Sequence, residues 1–307
     1  MPAATANQQE IIKQGNITLA ELDDLPTFEL SQLDGRLPVP IRIDGEDLDT
    51  FETKEFSGKV YERFSRAAQK PGVAWFDVFQ SFFKDVVGSI GGRPLEDVLQ
   101  AYNGGTDATA DRFFHALDMP NAVAILMDLK CKYVGSKIQL QWQCDNCGAK
   151  NADSPSSAHD VLTADVRLLR IGNPIEIRVD LPKGLKIDGT PVTYVLMRPL
   201  KIKDARKLAK SKTDNSFILD LLIQTICGIP EVPLLRDIRG GTVFSRKHFE
   251  SISSPECIES LQQAVTKIQD KVGVEIAASV ECTNCGNEQE VRYPYQALGD
   301  FLFSRVK

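Results

Sequence analysis

Two short stretches of the sequence, Gln143-Cys144-Asp145-Asn146-Cys147-Gly148 and Glu281-Cys282-Thr283-Asn284-Cys285-Gly286, share the pattern Cys-x-Asn-Cys-Gly. Two residues between the cysteines let the backbone turn tightly enough for both sulfurs to face one ion at about 2.3 Å. The glycine suits that turn because it tolerates a positive φ, and its N–H group is predicted to point back at a thiolate. We therefore expect each stretch to form a cysteine knuckle, a tight turn that presents two sulfur ligands.

The two knuckles together offer four sulfur ligands, from Cys144, Cys147, Cys282 and Cys285. Four thiolates complete a tetrahedral site and leave no position for water, which is typical of a structural rather than a catalytic metal. The expected cofactor is one structural Zn²⁺ ion. Two other interpretations stay open: reduced cysteines in two unrelated turns, or a metal-dependent enzyme, which would require an open coordination position.

Alternating apolar and polar residues lead into both knuckles. This pattern covers residues 138–143 and 274–281 and places Cys144 and Cys282 on the apolar side of a strand. Residues 290–293 are typical of a return strand behind the second knuckle. Two facing hairpins of this kind predict a zinc ribbon.

The predicted ribbon is split along the chain. The 134 residues 148–281 lie between the motifs, whereas compact ribbons use roughly 15–20. The metal would therefore join two distant parts of the chain. By analogy with a disulfide that closes a loop of ~100 residues, such a link is worth about 5 kcal/mol.

The chain divides into three predicted segments. Residues 1–60 carry 12 Asp+Glu and 5 Lys+Arg and show no sustained helical period, so we predict an extended acidic arm. Residues 61–130 are predicted as a helical subdomain and residues 131–307 as a zinc-ribbon-containing α+β domain. The expected fold class is α+β, with a mainly helical body, a small antiparallel β region, a split four-cysteine zinc ribbon and an extended N-terminal arm.

Hydrophobic patterning predicts the individual elements. Residues 75–87 are predicted as one buried helix that ends at Gly88. The other predicted elements are helices over 94–102, 108–117, 121–129, 217–226 and 255–271 and strands over 166–169, 175–181 and 193–197. The acidic run 44–49 lacks the glycine and glutamate positions of a calcium-binding loop and is predicted to be a solvated loop.

A basic helix is predicted over residues 201–212, with its apolar residues on one side and its cations on the opposite, solvent-exposed side. One interpretation is a solvated amphipathic helix. The other is docking to an acidic partner, such as the N-terminal arm of another copy. The candidate partner-binding residues are Arg198, Lys201, Lys203, Arg206, Lys207 and Lys210.

Composition excludes several classes of protein. Apolar residues make up 42% and charged residues 25%, which is typical of a globular protein. No apolar run approaches a membrane span and no secretory signal begins the chain, so we expect a cytoplasmic protein with reduced thiols. The net charge of −6 is concentrated in residues 1–60, which argues against broad nucleic-acid binding by the body.

No catalytic constellation is visible in the sequence. Cys131, Cys227 and Cys257 lack ligand spacing and fall within apolar patterns, as core cysteines do. The three histidines are isolated from one another and from the knuckles, and no motif marks a nucleophile. We therefore do not expect an enzyme.

The knuckles stand within a longer order of elements. After the first knuckle comes a strand pair of the form LPxG…V…RPL, here Leu181-Pro182-Lys183-Gly184 and Arg198-Pro199-Leu200. A charged helix, an apolar helix, an amphipathic helix, the second knuckle and an aromatic C-terminus follow, at 201–212, 217–226, 255–271, 282–286 and 293–303. From about residue 132 to 303, this order resembles the zinc-ribbon baseplate proteins of contractile-tailed bacteriophages and related contractile injection particles.

The resemblance implies a structural, non-enzymatic component of a contractile tail baseplate, in the hub, wedge or tube junction. It implies other baseplate, hub or tail-tube proteins as partners, no small-molecule substrate, and a place in the virion after assembly in the host cytoplasm. The first 130 residues have no counterpart in this resemblance. Two alternatives stay open: a zinc-ribbon nucleic-acid-binding protein that uses the basic helix, and an assembly chaperone absent from the finished particle.

Overall fold

The computed structural model describes residues 16–24, 27–29, 35–55, 57–68, 74–134, 137–139, 142–151, 158–160, 165–167, 176–187, 189–209, 214–232, 254–274 and 277–292. The helices are α1 Gly58–Ala68, α2 Trp75–Gln80, α3 Phe83–Val86, α4 Leu95–Asn103, α5 Asp111–Ala116, α6 Met119–Leu129, α7 Ile202–Leu208, α8 Asp214–Thr225 and α9 Pro255–Lys271. A short 3-10 helix covers Glu21–Asp24, and a π-helical turn, Lys130–Val134, continues α6.

The strands form several small sheets that are mostly antiparallel. They are β1 Asn16–Thr18, β2 Thr27–Glu29, β3 Arg36–Ile43, β4 Glu46–Thr53, β5 Val87–Ile90, β6 Arg93–Pro94, β7 Lys137–Gln139, β8 Trp142–Gln143, β9 Lys150–Asn151, β10 Ala158–Asp160, β11 Asp165–Arg167, β12 Glu176–Ile187, β13 Thr190–Met197, β14 Ile226–Gly228, β15 Gly273–Val274, β16 Ala277–Glu281 and β17 Glu288–Arg292. The predicted α+β class is confirmed.

A β-hairpin stands where the sequence predicted part of an extended arm. Strands β3 and β4 pair antiparallel, with Ile43 opposite Glu46. The turn residues Asp44 and Gly45 both have a positive φ, 54° and 86°, which is the requirement of a tight hairpin turn that suits twisted strands. Apolar residues of the hairpin are buried, so residues 36–53 belong to the folded body rather than to an arm.

The first core forms between this hairpin and helices α2–α6. Its centre is aromatic: the rings of Phe79, Phe83 and Phe114 meet edge to face at centroid distances of 5.3–5.6 Å. Aromatic pairs with this geometry stabilise a core beyond what the burial of their apolar surface contributes. Residues of all three predicted segments are buried in this core. The division of the chain at residues 60 and 130 stays a prediction.

The predicted helix over residues 75–87 is interrupted at residues 81–82 and ends one residue early, at Val86. Helix α2 ends at Gln80, α3 covers one turn, and the chain then continues as strand β5. Strand β5 pairs with β4, with Phe51 opposite Ile90. Cross-strand pairing and burial favour a strand for the β-branched residues at the end of the apolar run.

One buried side chain completes the backbone pairing of strand β3. The register of β3 against β4 shifts between Arg36 and Ile41, and in this interval the side-chain amide of Asn121 pairs with the main chain of Val39. The N–H of Val39 donates to Oδ1 of Asn121 at 2.8 Å, and Nδ2 of Asn121 donates to the carbonyl of Val39 at 2.7 Å. Asn121 is fully buried, so these bonds are shielded from water.

We expect Asn121→Ala to lower the free energy of unfolding by about 2–3 kcal/mol, because it leaves a buried N–H and a buried carbonyl of Val39 without partners. Alanine is the better helix former, so helix propensity cannot account for a loss. Urea unfolding measures the change. Asn121→Asp, which keeps the acceptor but lacks the donor, should be at least as destabilising, and a loss below about 0.5 kcal/mol for both variants would contradict this role.

The second core lies between helix α9 and the hairpin of β12 and β13. Helix α9 has the predicted bounds and packs on β12; its Leu261, Val265 and Ile268 are nearly fully buried in one cluster with apolar residues of β12 and β13. Strand β1 adds to the other edge of β12 in parallel. The strands predicted over 175–181 and 193–197 are both longer in the structure, and the strand predicted over 166–169 is described as the short β11.

Residues 16–24 are held against the second core. Leu22 is 1% exposed within it, and the carboxylate of Asp23 lies 2.6 Å from Nζ of Lys267 and 3.3 Å from Nζ of Lys271. Hydrogen bonds from these two lysines lower the pKa of Asp23. This part of the predicted arm is therefore also attached to the body.

Helix α7 connects the two cores, because it contacts α5 of the first core and also α8, which contributes Leu222 and Ile223 to the second. Ile202 is buried in the first core, and its N–H donates to the carbonyl of Leu117 at 3.0 Å. The N–H of Met119 donates to the carbonyl of Leu200 at 2.7 Å. In the described parts of the chain, every helix is too short or too polar to span a membrane.

Candidate metal centre

Each knuckle is held between two short antiparallel strands. Strands β8 and β9 bracket the first knuckle, with Gln143 opposite Lys150. Strands β16 and β17 bracket the second, with Glu281 opposite Glu288. The predicted pair of strand–knuckle hairpins is confirmed within the described residues, whereas residues 140–141 and 275–276 of the predicted lead-in strands lie outside them.

The two knuckles have the same backbone hydrogen bonds. In the first, the N–H of Cys144 donates to the carbonyl of Ala149 at 2.9 Å and the N–H of Gly148 donates to the carbonyl of Cys144 at 2.8 Å. The second repeats both bonds at the same distances from Cys282 and Gly286. Both glycines have a positive φ, 70° and 69°, as predicted, but their N–H groups bind a carbonyl oxygen and not a thiolate.

The structure brings the four predicted cysteines together. All four Sγ atoms lie within 4.8 Å of one another. Across the knuckles, Cys144 Sγ is 3.6 Å from Cys285 Sγ, and Cys147 Sγ is 3.6 Å from Cys282 Sγ. A tetrahedral ion with metal–sulfur bonds of about 2.3 Å requires sulfurs about 3.8 Å apart. The four cysteines therefore fit a metal ion of zinc's size.

The site is buried on one side only. Cys144 and Cys282 are each 2% exposed and are part of the first core, next to the buried Trp142. Cys147 and Cys285 are exposed. Two sulfurs therefore anchor the centre to the body, and the other two face solvent.

Hydrogen bonds and burial shift the acidity of the thiols in opposite directions. Burial raises the pKa of Cys282, but N–H groups of the following residues and the thiols of Cys147 and Cys144 outweigh it and lower the value to about 6. The side-chain amide of Asn284 lowers the pKa of Cys147. The N–H of Cys147 lowers the pKa of Cys144, yet burial and the thiol of Cys285 raise it to about 11. Because a metal takes thiolates, binding must displace protons from this set.

The side chain of Gln289 bridges the two knuckles. The N–H of Asp145 donates to Oε1 of Gln289 at 2.9 Å, and Nε2 of Gln289 donates to the carbonyl of Gln143 at 3.1 Å. Its amide thus pairs with the backbone of the first knuckle as another strand would. This contact joins the two distant segments independently of any metal.

Two asparagines also reach across the centre. Nδ2 of Asn146 lies 3.6 Å from Sγ of Cys285, and Nδ2 of Asn284 lies 3.5 Å from Sγ of Cys147. Neither of these asparagines was predicted to act at the site, and neither was Gln289. The signal for the asparagines was their shared position in both motifs, whereas Gln289 has no motif that marks it.

The predicted partner-binding cations are only in part a solvated surface. The guanidinium of Arg198 is buried and lies 2.7 Å from a carboxylate oxygen of Asp204. Nζ of Lys207 donates to Oε1 of Gln224 at 2.9 Å. Lys201 and Lys203 are half-buried, and Lys210 lies outside the described residues. Arg198 was predicted to be solvent-exposed with the other cations, and this prediction is wrong. Its burial is possible because the carboxylate of Asp204 compensates its charge inside the protein.

Arg206, another of these cations, also binds its own chain. Its guanidinium lies 2.5 Å from a carboxylate oxygen of Asp77 and hydrogen-bonds the side chains of Gln80 and His115. Burial, and then the charge of Arg206, lower the pKa of His115. The arginine thus joins α7 to α2 and α5.

The remaining cysteines lie apart from the sulfur cluster, as predicted. Cys227 and Cys257 are buried, and Cys131 is half-buried. Sγ of Cys227 donates to the carbonyl of Leu196 at 3.4 Å. Among the described residues, the one group of three or more cysteine, histidine and acidic side chains close enough to hold a metal is the four-cysteine cluster.

The chain was compared with known proteins at three levels. No protein-family model matches it, and neither a curated protein nor a solved structure matches it. The centre is therefore interpreted from its own geometry: four cysteines from two distant segments within ion-binding distance of one another.

Proposed function

We propose that this protein is a structural, non-enzymatic component of a contractile phage tail baseplate, located in the hub, wedge or tube junction, where it holds neighbouring subunits together. The single observation that supports the proposal best is the four-sulfur cluster, which joins Cys144 and Cys147 to Cys282 and Cys285. Such a centre suits a subunit that must keep its shape under mechanical load. The order of elements noted in the sequence supplies the link to baseplate proteins.

The proposed cofactor is one structural Zn²⁺ ion. Four sulfur donors are the set that zinc prefers in structural sites. Once four sulfurs bind the ion, no coordination position is left for water or a substrate, which supports a structural role.

The proposed partners are other baseplate, hub or tail-tube proteins, in a virion assembled in the host cytoplasm. The proposal includes a mainly helical body whose acidic N-terminal segment contacts neighbouring subunits. The turn between β3 and β4 supports this, because Asp44, Glu46 and Asp47 are exposed there. Neither a small-molecule substrate nor nucleic acid is expected as a partner.

The nucleic-acid-binding alternative requires the predicted partner-binding cations in and before α7 to face phosphates. Arg198 and Arg206 instead bind carboxylates of their own chain, which weakens that alternative. The assembly-chaperone alternative differs from the proposal only in whether the protein stays in the finished particle.

The proposal is tested on contractile particles purified from cells that produce the chain with an affinity tag. We expect quantitative mass spectrometry to find the protein at a fixed ratio to other baseplate subunits, since a structural subunit occupies a set number of positions. Presence in assembly intermediates but not in finished particles would indicate the chaperone instead. Absence from both would contradict the structural role.

A further inference from the structure

The four sulfurs of the metal centre receive N–H groups from two different sources. The buried sulfurs of Cys144 and Cys282 accept backbone N–H groups from their own knuckles. The exposed sulfurs of Cys147 and Cys285 lie next to side-chain amides of the opposite knuckle, those of Asn284 and Asn146, and Cys147 also accepts the backbone N–H of Ala149. The arrangement is reciprocal, because each knuckle supplies one amide and accepts one.

We propose that Asn146 and Asn284 are a pair of positioning residues that hold the two exposed thiolates for the metal and stabilise their charge. The proposal concerns the metal centre alone and is independent of the particle in which the protein acts.

The position of the asparagines in the motif supports this role. The tight turn is already closed by backbone bonds and by glycine, at Gly148 and Gly286, so the turn itself does not require an asparagine. The neighbouring position differs between the knuckles, Asp145 in one and Thr283 in the other. Asparagine is thus shared where its amide reaches a sulfur of the opposite knuckle.

The chemistry of the exposed side of the site explains the need for a donor. Four thiolates and one Zn²⁺ carry a net charge of −2, and the two outer cysteines, Cys147 and Cys285, are exposed to solvent. An amide N–H directed at a thiolate favours the charged form and fixes the orientation of the sulfur. Groups in this role typically change metal affinity about 10- to 100-fold when they are removed.

The first test measures zinc affinity of the full-length protein by competition with a chromophoric chelator. We expect Asn146→Ala and Asn284→Ala each to weaken zinc binding about 10-fold or more, and the double variant to weaken it further. Asn287→Ala is the matched control, because Asn287 belongs to the second knuckle and its side chain makes no hydrogen bond with the described part of the chain. Affinities of both single variants within 2-fold of this control would overturn the proposal.

A second measurement separates this role from a merely structural one. In the Co²⁺-substituted protein, an N–H···S bond lowers the energy of the sulfur lone pair, so its loss should move the sulfur-to-cobalt charge-transfer band to longer wavelength. We expect that shift in both alanine variants and none in Asn287→Ala. Asn146→Asp, which places a carboxylate beside the thiolate of Cys285, should bind more weakly than Asn146→Ala. An unshifted band, or tighter binding by the aspartate variant than by the alanine variant, would overturn the proposal.

Discussion

Replacing Cys144 with serine is expected to abolish stoichiometric zinc binding and to destabilise the protein by about 5 kcal/mol or more. A neutral hydroxyl does not replace a thiolate as a zinc ligand, and three sulfurs bind far more weakly than four. The loss also opens a link across 134 residues, whose closure is worth about 5 kcal/mol. Cys285→Ser should behave in the same way, although its sulfur is exposed. Elemental analysis, thermal unfolding and limited proteolysis measure the effect.

The matched control is Cys131→Ser, since Cys131 is half-buried and lies outside the sulfur cluster. It should keep its zinc and most of its stability. Treatment of the unmodified protein with a strong chelator should reproduce the instability of the cluster variants. A Cys144→Ser protein that is fully soluble and as heat-resistant as the original would contradict the account of a structural metal.

The four-cysteine cluster is the part that sequence predicts best. The spacing of Cys144, Cys147, Cys282 and Cys285 is a local property with one dominant chemical explanation, and the structure brings these four sulfurs within 4.8 Å of one another. Helix α9 is equally predictable from the sequence, because its apolar residues recur with a regular helical period and a proline begins it. Both predictions rest on short-range sequence patterns, and tertiary packing favours the same local structure as those patterns do.

At the hairpin of β3 and β4, two local sequence signals favour different structures. Asp44-Gly45 between apolar stretches is among the strongest short-range hairpin signals, but the surrounding acids suggested a solvated loop. Those acids are exposed at the turn, whereas Ile43 and Leu48 on either side of it are buried. Charge at a turn and burial along its strands are therefore compatible.

Other features depend on contacts between residues far apart in sequence. The chain turns into strand β5 at Val87, the last residue of the predicted 75–87 helix, because β4 is available to pair with it, which local periodicity does not reveal. The contact between Asn146 and Cys285 requires the two knuckles to face each other, as does the bridge made by Gln289. The burial of Arg198 likewise depends on how the chain folds around α7.

The pair of Arg198 and Asp204 stabilises the connection between the two cores. The side chains are 7% and 0% exposed. One carboxylate oxygen of Asp204 accepts bonds from Nη1 of Arg198 at 2.7 Å and from the backbone N–H of Lys201 at 2.9 Å, which also caps helix α7. Burial lowers the pKa of Arg198, but the charge and hydrogen bond of Asp204 outweigh it and raise the value. The arginine therefore stays charged inside the protein.

We expect Asp204→Ala to lower the free energy of unfolding by about 3–5 kcal/mol, because it leaves the buried guanidinium of Arg198 without its carboxylate. The same change removes the carboxylate that accepts a hydrogen bond from the N–H of Lys201 and so caps the start of α7. Urea unfolding, with hydrogen exchange at α7 to locate the loss, measures the effect.

A double variant shows whether the buried charge is responsible for that loss. Arg198→Met combined with Asp204→Leu removes both charges and fills their space with apolar side chains, so it should be less destabilised than Asp204→Leu alone; apolar replacement of a whole buried pair is often neutral. A residual cost of about 1 kcal/mol should stay, since the N–H of Lys201 still lacks its acceptor. Asp77→Ala is the exposed counterpart, because the side chain of Asp77 is 49% exposed in its pair with Arg206, and its cost should stay below about 1 kcal/mol. If the single and double variants lose equal stability, the cap and the packing rather than the buried charge determine the strength of this connection.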